Sequence, residues 1–183
     1  MKIVYARKDS LLKFTHPMNH IWSPWRMEYI ENSKEDGCVF CNAQAQEDGA
    51  GNLIASRGEH AYVILNRYPY TSGHLMVIPL LHKPNLEELD AQTRAEMMEL
   101  TTRCMMVLRT VYRPQGFNVG VNIGEAAGAG VKEHVHIHIV PRWMGDTNFM
   151  SSVGATRVLP ESLEDTYARV RDAFLSTKGD SSS

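Results

Sequence analysis

His134-Val135-His136-Ile137-His138-Ile139-Val140 is the stretch on which the reading of this chain turns. Imidazole and aliphatic side chains alternate with period two, the pattern of a β-strand with one buried face. The alternation sets His134, His136 and His138 on one side and Val135, Ile137 and Ile139 on the other. The aliphatic side packs into a core, and the imidazoles line a site. One histidine in a strand is an ordinary core residue; three in register make a chemical surface.

Two chemistries compete for that surface. Histidines at i and i+2 stand about 6.6 Å apart along a strand and can share a metal ion. The outer pair is about 13 Å apart, too far for all three to grip one ion. A His-x-His metal site of the cupin kind therefore stays as an alternative, although the first carboxylate after the strand is Asp146. The other chemistry is nucleophilic. A neutral imidazole attacks phosphorus without first losing a proton, and the resulting phosphoramidate passes its group onward. His136 is central, with a neighbour on each side to protonate a leaving oxygen or hold a phosphate. Gly124-Glu125-Ala126-Ala127-Gly128-Ala129-Gly130 immediately precedes, and Gly128 and Gly130 let backbone N–H groups approach an anion. Lys132 and Arg142 are the nearby cations, read either as phosphate screens or as solvated surface charge.

The rest of the chain supplies a scaffold. Its 183 residues suit one domain, and 43% hydrophobic residues suffice for a core. A formal charge of −2 gives no whole-chain attraction to nucleic acid or acidic membrane. No apolar run approaches the ~20 residues of a membrane span. The first nineteen residues lack a signal-peptide core, and ten methionines with three cysteines suit a reducing compartment, so a cytoplasmic location is expected. Residues 1–21 are expected to be poorly ordered, with an aromatic arm at 22–30, a single domain over 22–176 and a disordered tail at 177–183. Strands are predicted at 62–65, 75–78, 117–123 and 134–140. Helices are predicted at 86–112, about 40 Å long at ~1.5 Å per residue, and at about 161–175. Strands joined by turns, with one long helix, indicate an α+β fold with an antiparallel sheet.

These residues resemble the histidine-triad (HIT) superfamily of nucleotidyl hydrolases and transferases. The resemblance rests on the triad strand, on Leu65-Asn66-Arg67-Tyr68-Pro69-Tyr70 with Gly73-His74-Leu75, and on Asn118-Val119-Gly120-Val121-Asn122 before the small-residue loop. The flanks 22–30 and 140–150 resemble the bacterial branch that includes diadenosine tetraphosphate phosphorylases. The resemblance implies a five-stranded antiparallel sheet, a homodimer whose sheets join edge to edge, and cleavage of dinucleoside polyphosphates through a nucleotidyl-histidine. Phosphate or water is then the acceptor. It implies His136 as nucleophile, His138 at the scissile phosphate or leaving group, and His134 orienting the centre. It also implies ribose binding by Asn66, phosphate contact by Asn122 and support of the site by His74. No redox cofactor is implied; a divalent cation can accompany the substrate phosphates. A nucleoside phosphoramidase and a nucleotide-binding signalling module with little turnover are the other readings. The loop departs from the family, because Gly128-Ala129-Gly130-Val131-Lys132-Glu133 lacks the usual side-chain amide and hydroxyl.

Cys38-Val39-Phe40-Cys41 has the spacing of a metal knuckle, a redox pair or two buried thiols. Zinc would need two more ligands, and the resemblance points to His82 and His134. That assignment would take His134 out of direct chemistry.

Overall fold

The computed structural model describes residues 37–146 and 160–179. The expectations for residues 1–21, for the arm at 22–30 and for the end of the tail lie outside the described residues. The described residues begin with a short helix α1 (Val39–Gln44), followed by strands β1 (Ile54–Arg57), β2 (Ala61–Leu65) and β3 (Leu75–Pro79). Helix α2 (Ala91–Tyr112), strands β4 (Gly116–Val121) and β5 (Ile137–Arg142), and helix α3 (Leu163–Gly179) complete it. The strands form one five-stranded antiparallel sheet in the order β1-β2-β3-β5-β4. This is the α+β architecture expected.

The central strands are aliphatic on both faces, because both faces are covered. Every residue of β2 and β3 is buried. Helix α2 packs on β2, β3 and β5 and turns Thr93, Met97, Leu100, Thr101, Cys104, Val107 and Leu108 inward. That is the helical repeat of one apolar stripe. Helix α3 packs on α2 and β1, burying Val170 and Phe174. On the opposite face the register aligns Ile64 with Met76 and Met76 with His138. Helix α1 closes over this face, anchored where the Tyr62 hydroxyl donates to the Phe40 carbonyl at 2.8 Å.

Several boundaries differ from the sequence reading. Strand β1 was not predicted: its four residues include Ser56 and Arg57, and its pairing slips between Ile54 and Ser56. The long helix starts at Ala91 rather than 86, because the Asp90 side chain accepts from the Thr93 N–H at 2.7 Å and caps it. Leu86–Glu88 forms a separate 3₁₀ turn. The 22-residue helix is therefore about 33 Å long. It ends at Arg113, which adopts a left-handed φ of 49° before Pro114. Helix α3 runs through Gly179, into the segment expected to be a disordered tail. Strand β5 starts at Ile137, so His134 and His136 lie on its run-in rather than on the paired strand. No helix among the described residues is long and apolar enough to cross a membrane.

Candidate active site

A cavity of about 550 Å³ opens on the α1 side of the sheet. Its apolar wall comes from Val39, Phe40, Leu53, Ile64 and Met76. Polar lining comes from Asn52, Asn66, Arg67 and Asn122, and the reactive end holds His136, His138, Gly128, Gly130 and Val131. The volume suits a nucleotide-sized ligand.

Fixed hydrogen-bond partners assign the imidazole tautomers. The His136 Nδ1 lies 2.9 Å from the His134 carbonyl oxygen, which can only accept. The proton therefore sits on Nδ1, and Nε2 keeps its lone pair. His136 is 4% exposed, packed against Phe40 at 4.9 Å and His138 at 4.7 Å between ring centroids. Burial lowers its pKa, opposed by the bond to the His134 carbonyl. The His138 pKa is pushed down to about 4, by burial first and then by His136. Both rings are neutral at neutral pH.

His74 and His134 stand behind this pair. His74 is buried, and its Nε2 lies 3.0 Å from the His138 Nδ1. It does not line the main cavity but a smaller one of about 110 Å³ beside Glu161 and Thr166. His138 stands between His74 and the main cavity, so His74 reaches that cavity only through the His138 ring. His134 is fully buried and does not line the cavity either. Its Nε2 donates to the Pro79 carbonyl at 2.9 Å, so its Nδ1 carries a lone pair. That nitrogen faces Cys38 Sγ at 3.3 Å and Cys41 Sγ at 3.7 Å. His134 acts on the site through its carbonyl, while its ring belongs to another cluster.

That cluster is Cys38, Cys41, His82 and His134, whose ligand atoms all lie within 4.8 Å of one another. The His82 Nδ1 is 3.3 Å from Cys41 Sγ. Two sulfurs and two imidazole nitrogens converging on one point form the donor set of a closed, four-coordinate zinc site. Burial raises the Cys41 pKa, and the neighbouring Cys38 adds to this, as expected for thiols crowded together without a compensating cation. None of the four residues lines the cavity. The two cysteines are the N-cap residue and the third residue of α1, the helix that contributes Val39, Phe40, Asn42 and Ala43 to the cavity wall.

The remaining predicted residues divide. Asn66 and Asn122 line the cavity, as do Gly128 and Gly130. The Asn66 Oδ1 also accepts from the Tyr68 N–H at 2.9 Å, so it builds the turn and leaves its amide N–H groups as the donors for a ligand. The anion cradle expected from the glycine loop is smaller than its composition suggested. The Gly128 N–H donates to the Glu125 carbonyl and the Ala129 N–H to the Gly124 carbonyl, both within the loop. Neither nearby cation lines the cavity. Lys132 is exposed away from the cavity, and Arg142 pairs with Asp146 and Asn118. Sequence reasoning missed Phe40, whose position between the two cysteines was the available signal. It also missed Asn52, which is buried and ties α1 to β1 through the Ala43 carbonyl and the Ile54 N–H.

Comparison with known proteins agrees with this geometry. The HIT domain family model matches residues 52–144. The chain is 39% identical over 158 residues to the AP-4-A phosphorylase of Mycobacterium tuberculosis, covering 81% of this chain and 80% of that protein. A Zn-bound histidine triad family protein from Mycobacterium smegmatis superposes with a TM-score of 0.63 at 29% identity, over 78% of this chain and 96% of that one. A histidine triad nucleotide-binding protein from Sulfolobus tokodaii gives a TM-score of 0.62 at 28% identity, over 77% and 94%. With its triad strand, its five-stranded sheet and a family match over half its length, this chain belongs to the HIT family.

Proposed function

We propose that this protein is a nucleotidyl hydrolase or transferase that cleaves dinucleoside polyphosphates, such as diadenosine tetraphosphate, through a nucleotidyl group carried on His136. The observation that carries this reading is the unprotonated Nε2 of His136 on the wall of a nucleotide-sized cavity, next to a second neutral imidazole.

The base takes the apolar end lined by Val39, Phe40, Leu53 and Ile64, and the ribose hydroxyls meet Asn66. The phosphates then lie between Asn122, Gly130 and the two imidazoles. The His136 lone pair attacks the α-phosphorus. A P–N bond forms, the P–O bond to the rest of the polyphosphate breaks, and the electron pair leaves on that oxygen. The proton on Nδ1 stays, and the His134 carbonyl stabilises the positive ring. In the second step an acceptor oxygen attacks phosphorus and the P–N pair returns to His136.

The acceptor is inorganic phosphate or water. A phosphate dianion attacks without losing a proton, whereas water needs a base. No carboxylate lines the cavity among the described residues, which favours phosphate. The identity to the mycobacterial AP-4-A phosphorylase supports the same choice. A divalent cation would travel with the substrate phosphates. At the Cys₂His₂ cluster, zinc would supply a structural cross-link, held by Cys38, Cys41, His82 and His134.

Product analysis tests the proposal. Diadenosine tetraphosphate should yield ADP and ATP when inorganic phosphate is present. AMP and ATP at the same rate without phosphate would make the protein a hydrolase. Turnover confined to phosphoramidates would make it a phosphoramidase. No turnover on any nucleotide, with binding retained, would favour the signalling module.

A further inference from the structure

We propose that the Tyr68 ring, on the rim of the cavity, is the platform on which the second base of a dinucleoside polyphosphate stacks, and that this contact makes the protein prefer substrates with a nucleoside at both ends. The inference rests on the nucleotidyl-transfer reading above and extends it to the half of the substrate that leaves.

A cavity of about 550 Å³ takes one nucleotide. His136 attacks the phosphorus nearest the nucleoside held there. The remaining phosphates and the second nucleoside therefore all lie on the leaving side, past His138. A second base that met only water would add nothing to binding, and a dinucleoside polyphosphate would then be handled like a bare nucleoside polyphosphate. A base stacked on an aromatic side chain adds binding through its π-face.

Among the described residues, Phe40, Tyr68 and Tyr70 are the aromatic side chains of the cavity lining besides the two imidazoles. Phe40 is 6% exposed and packs on the His136 ring, so it belongs to the closed end. Tyr70 is committed to the wall. Its ring stacks on His74 with centroids 4.9 Å apart and planes 22° apart, and its main-chain N–H donates to the His74 Nδ1 at 3.2 Å. Tyr68 differs from both: at 38% it is the most exposed phenylalanine, tyrosine or tryptophan among the described residues.

The turn places Tyr68 on the leaving side. Tyr70, two residues further along it, has its ring 6.5 Å from that of His138. The backbone beneath Tyr68 is anchored, because the Asn66 Oδ1 accepts from the Tyr68 N–H at 2.9 Å and the Arg67 guanidinium donates to the Gly51 carbonyl at 2.9 Å. A ring on a fixed turn loses little freedom when a base settles on it. Tyrosine also suits a rim, with an apolar face for stacking and a hydroxyl that tolerates water. Phe40 and Tyr68 are thus two rings at different depths of one cavity, matching two bases at opposite ends of one substrate.

The test compares diadenosine tetraphosphate with adenosine tetraphosphate, which keeps the first nucleoside and the four phosphates but has no second base. Full-length wild type should show a kcat/KM at least about 10-fold higher with the dinucleotide. Tyr68→Ser should raise the KM for diadenosine tetraphosphate about 10-fold more than that for adenosine tetraphosphate. Tyr68→Phe keeps the ring and should keep the preference. Tyr68→Trp should keep it too, with a fluorescence change beyond the wild-type signal on adding the dinucleotide and none on adding adenosine tetraphosphate. A His136→Asn background reads the same ratios as binding alone. No wild-type preference, an equal Tyr68→Ser loss on both compounds, or equal fluorescence changes would overturn the proposal. A wild type inert toward every nucleotide would refute the proposed function, while the binding ratios would still decide whether Tyr68 meets the second base.

Discussion

The Nδ1 of His136 and the main-chain carbonyl of His134, 2.9 Å apart, join the reactive ring to the cysteine–histidine cluster through a single residue. The His134 side chain faces the thiols, and its carbonyl fixes the tautomer of His136. Two functions therefore share one short segment of backbone.

Replacing His136 separates chemistry from binding. Asn keeps an N–H that can reach the His134 carbonyl but has no nucleophilic nitrogen. His136→Asn should lower turnover by at least about 10⁴-fold, as expected when a covalent nucleophile is removed. Nucleotide affinity, read by calorimetry, should change little. Retained turnover, or a trapped nucleotide bonded to another residue, would contradict the assignment.

The cluster should be a stability element with a catalytic consequence. Zinc analysis of the purified protein should find one ion per chain, and Cys41→Ser should lose it. Losing a few kcal/mol of metal-linked stability would lower the melting temperature by roughly 10 °C in a domain of this size. Nucleotide affinity should fall as well, because α1 carries part of the cavity wall. A Cys41→Ser protein with unchanged melting and binding would show that the four residues do not act as a metal site.

The sequence made the chemistry more legible than the boundaries. The period-two triad placed three histidines near one another, and two of them, His136 and His138, line the cavity. His134 departs from that picture because strand pairing begins only at Ile137, and the preceding run-in aims its ring at the cysteines. Strand β1 was hidden because it is four residues long, carries Ser56 and Arg57, and follows Leu53 at a left-handed φ of 63°. The glycine loop misled in a different way. Composition shows that backbone can approach an anion, but not that Gly128 and Ala129 spend their N–H groups inside the loop. Phe40 and Asn52 acquire their roles only through contacts far along the chain, which periodicity does not encode.

Acid should destabilise the fold in a defined window. An imidazole in the unfolded chain titrates near 6.5, whereas folding pushes His138 down to about 4 through burial and the nearby His136. Between these values the unfolded chain binds a proton that the folded chain refuses, so stability falls as pH drops from about 6.5 toward 4. His138 contributes at most about 3 kcal/mol to that fall. His138→Gln should flatten the dependence of denaturation midpoints on pH. An unchanged slope would mean that the proton uptake lies elsewhere. The lowered His136 pKa acts in the same direction on activity, and the acid limb of kcat/KM should lie below pH 6.5.

The last prediction concerns the open side of the sheet. Strand β4 is outermost beyond β5, and its sequence Gly-Phe-Asn-Val-Gly-Val carries no charge and no proline. Outer strands of monomers are commonly guarded by just such residues. Val119 is 44% exposed there and Ile123, beyond the strand end, is 37% exposed. We propose that a second copy of the chain pairs along this strand, as the family resemblance implied. A lysine at Val119 would set like charges close together across a two-fold axis and desolvate them. Val119→Lys should weaken the dimer on the order of 100-fold while leaving thermal unfolding of the monomer cooperative. Light scattering across a dilution series distinguishes the outcomes. A wild type that is monomeric at every concentration would refute pairing along β4, and a Val119→Lys dimer as tight as the wild type would place the interface on another face.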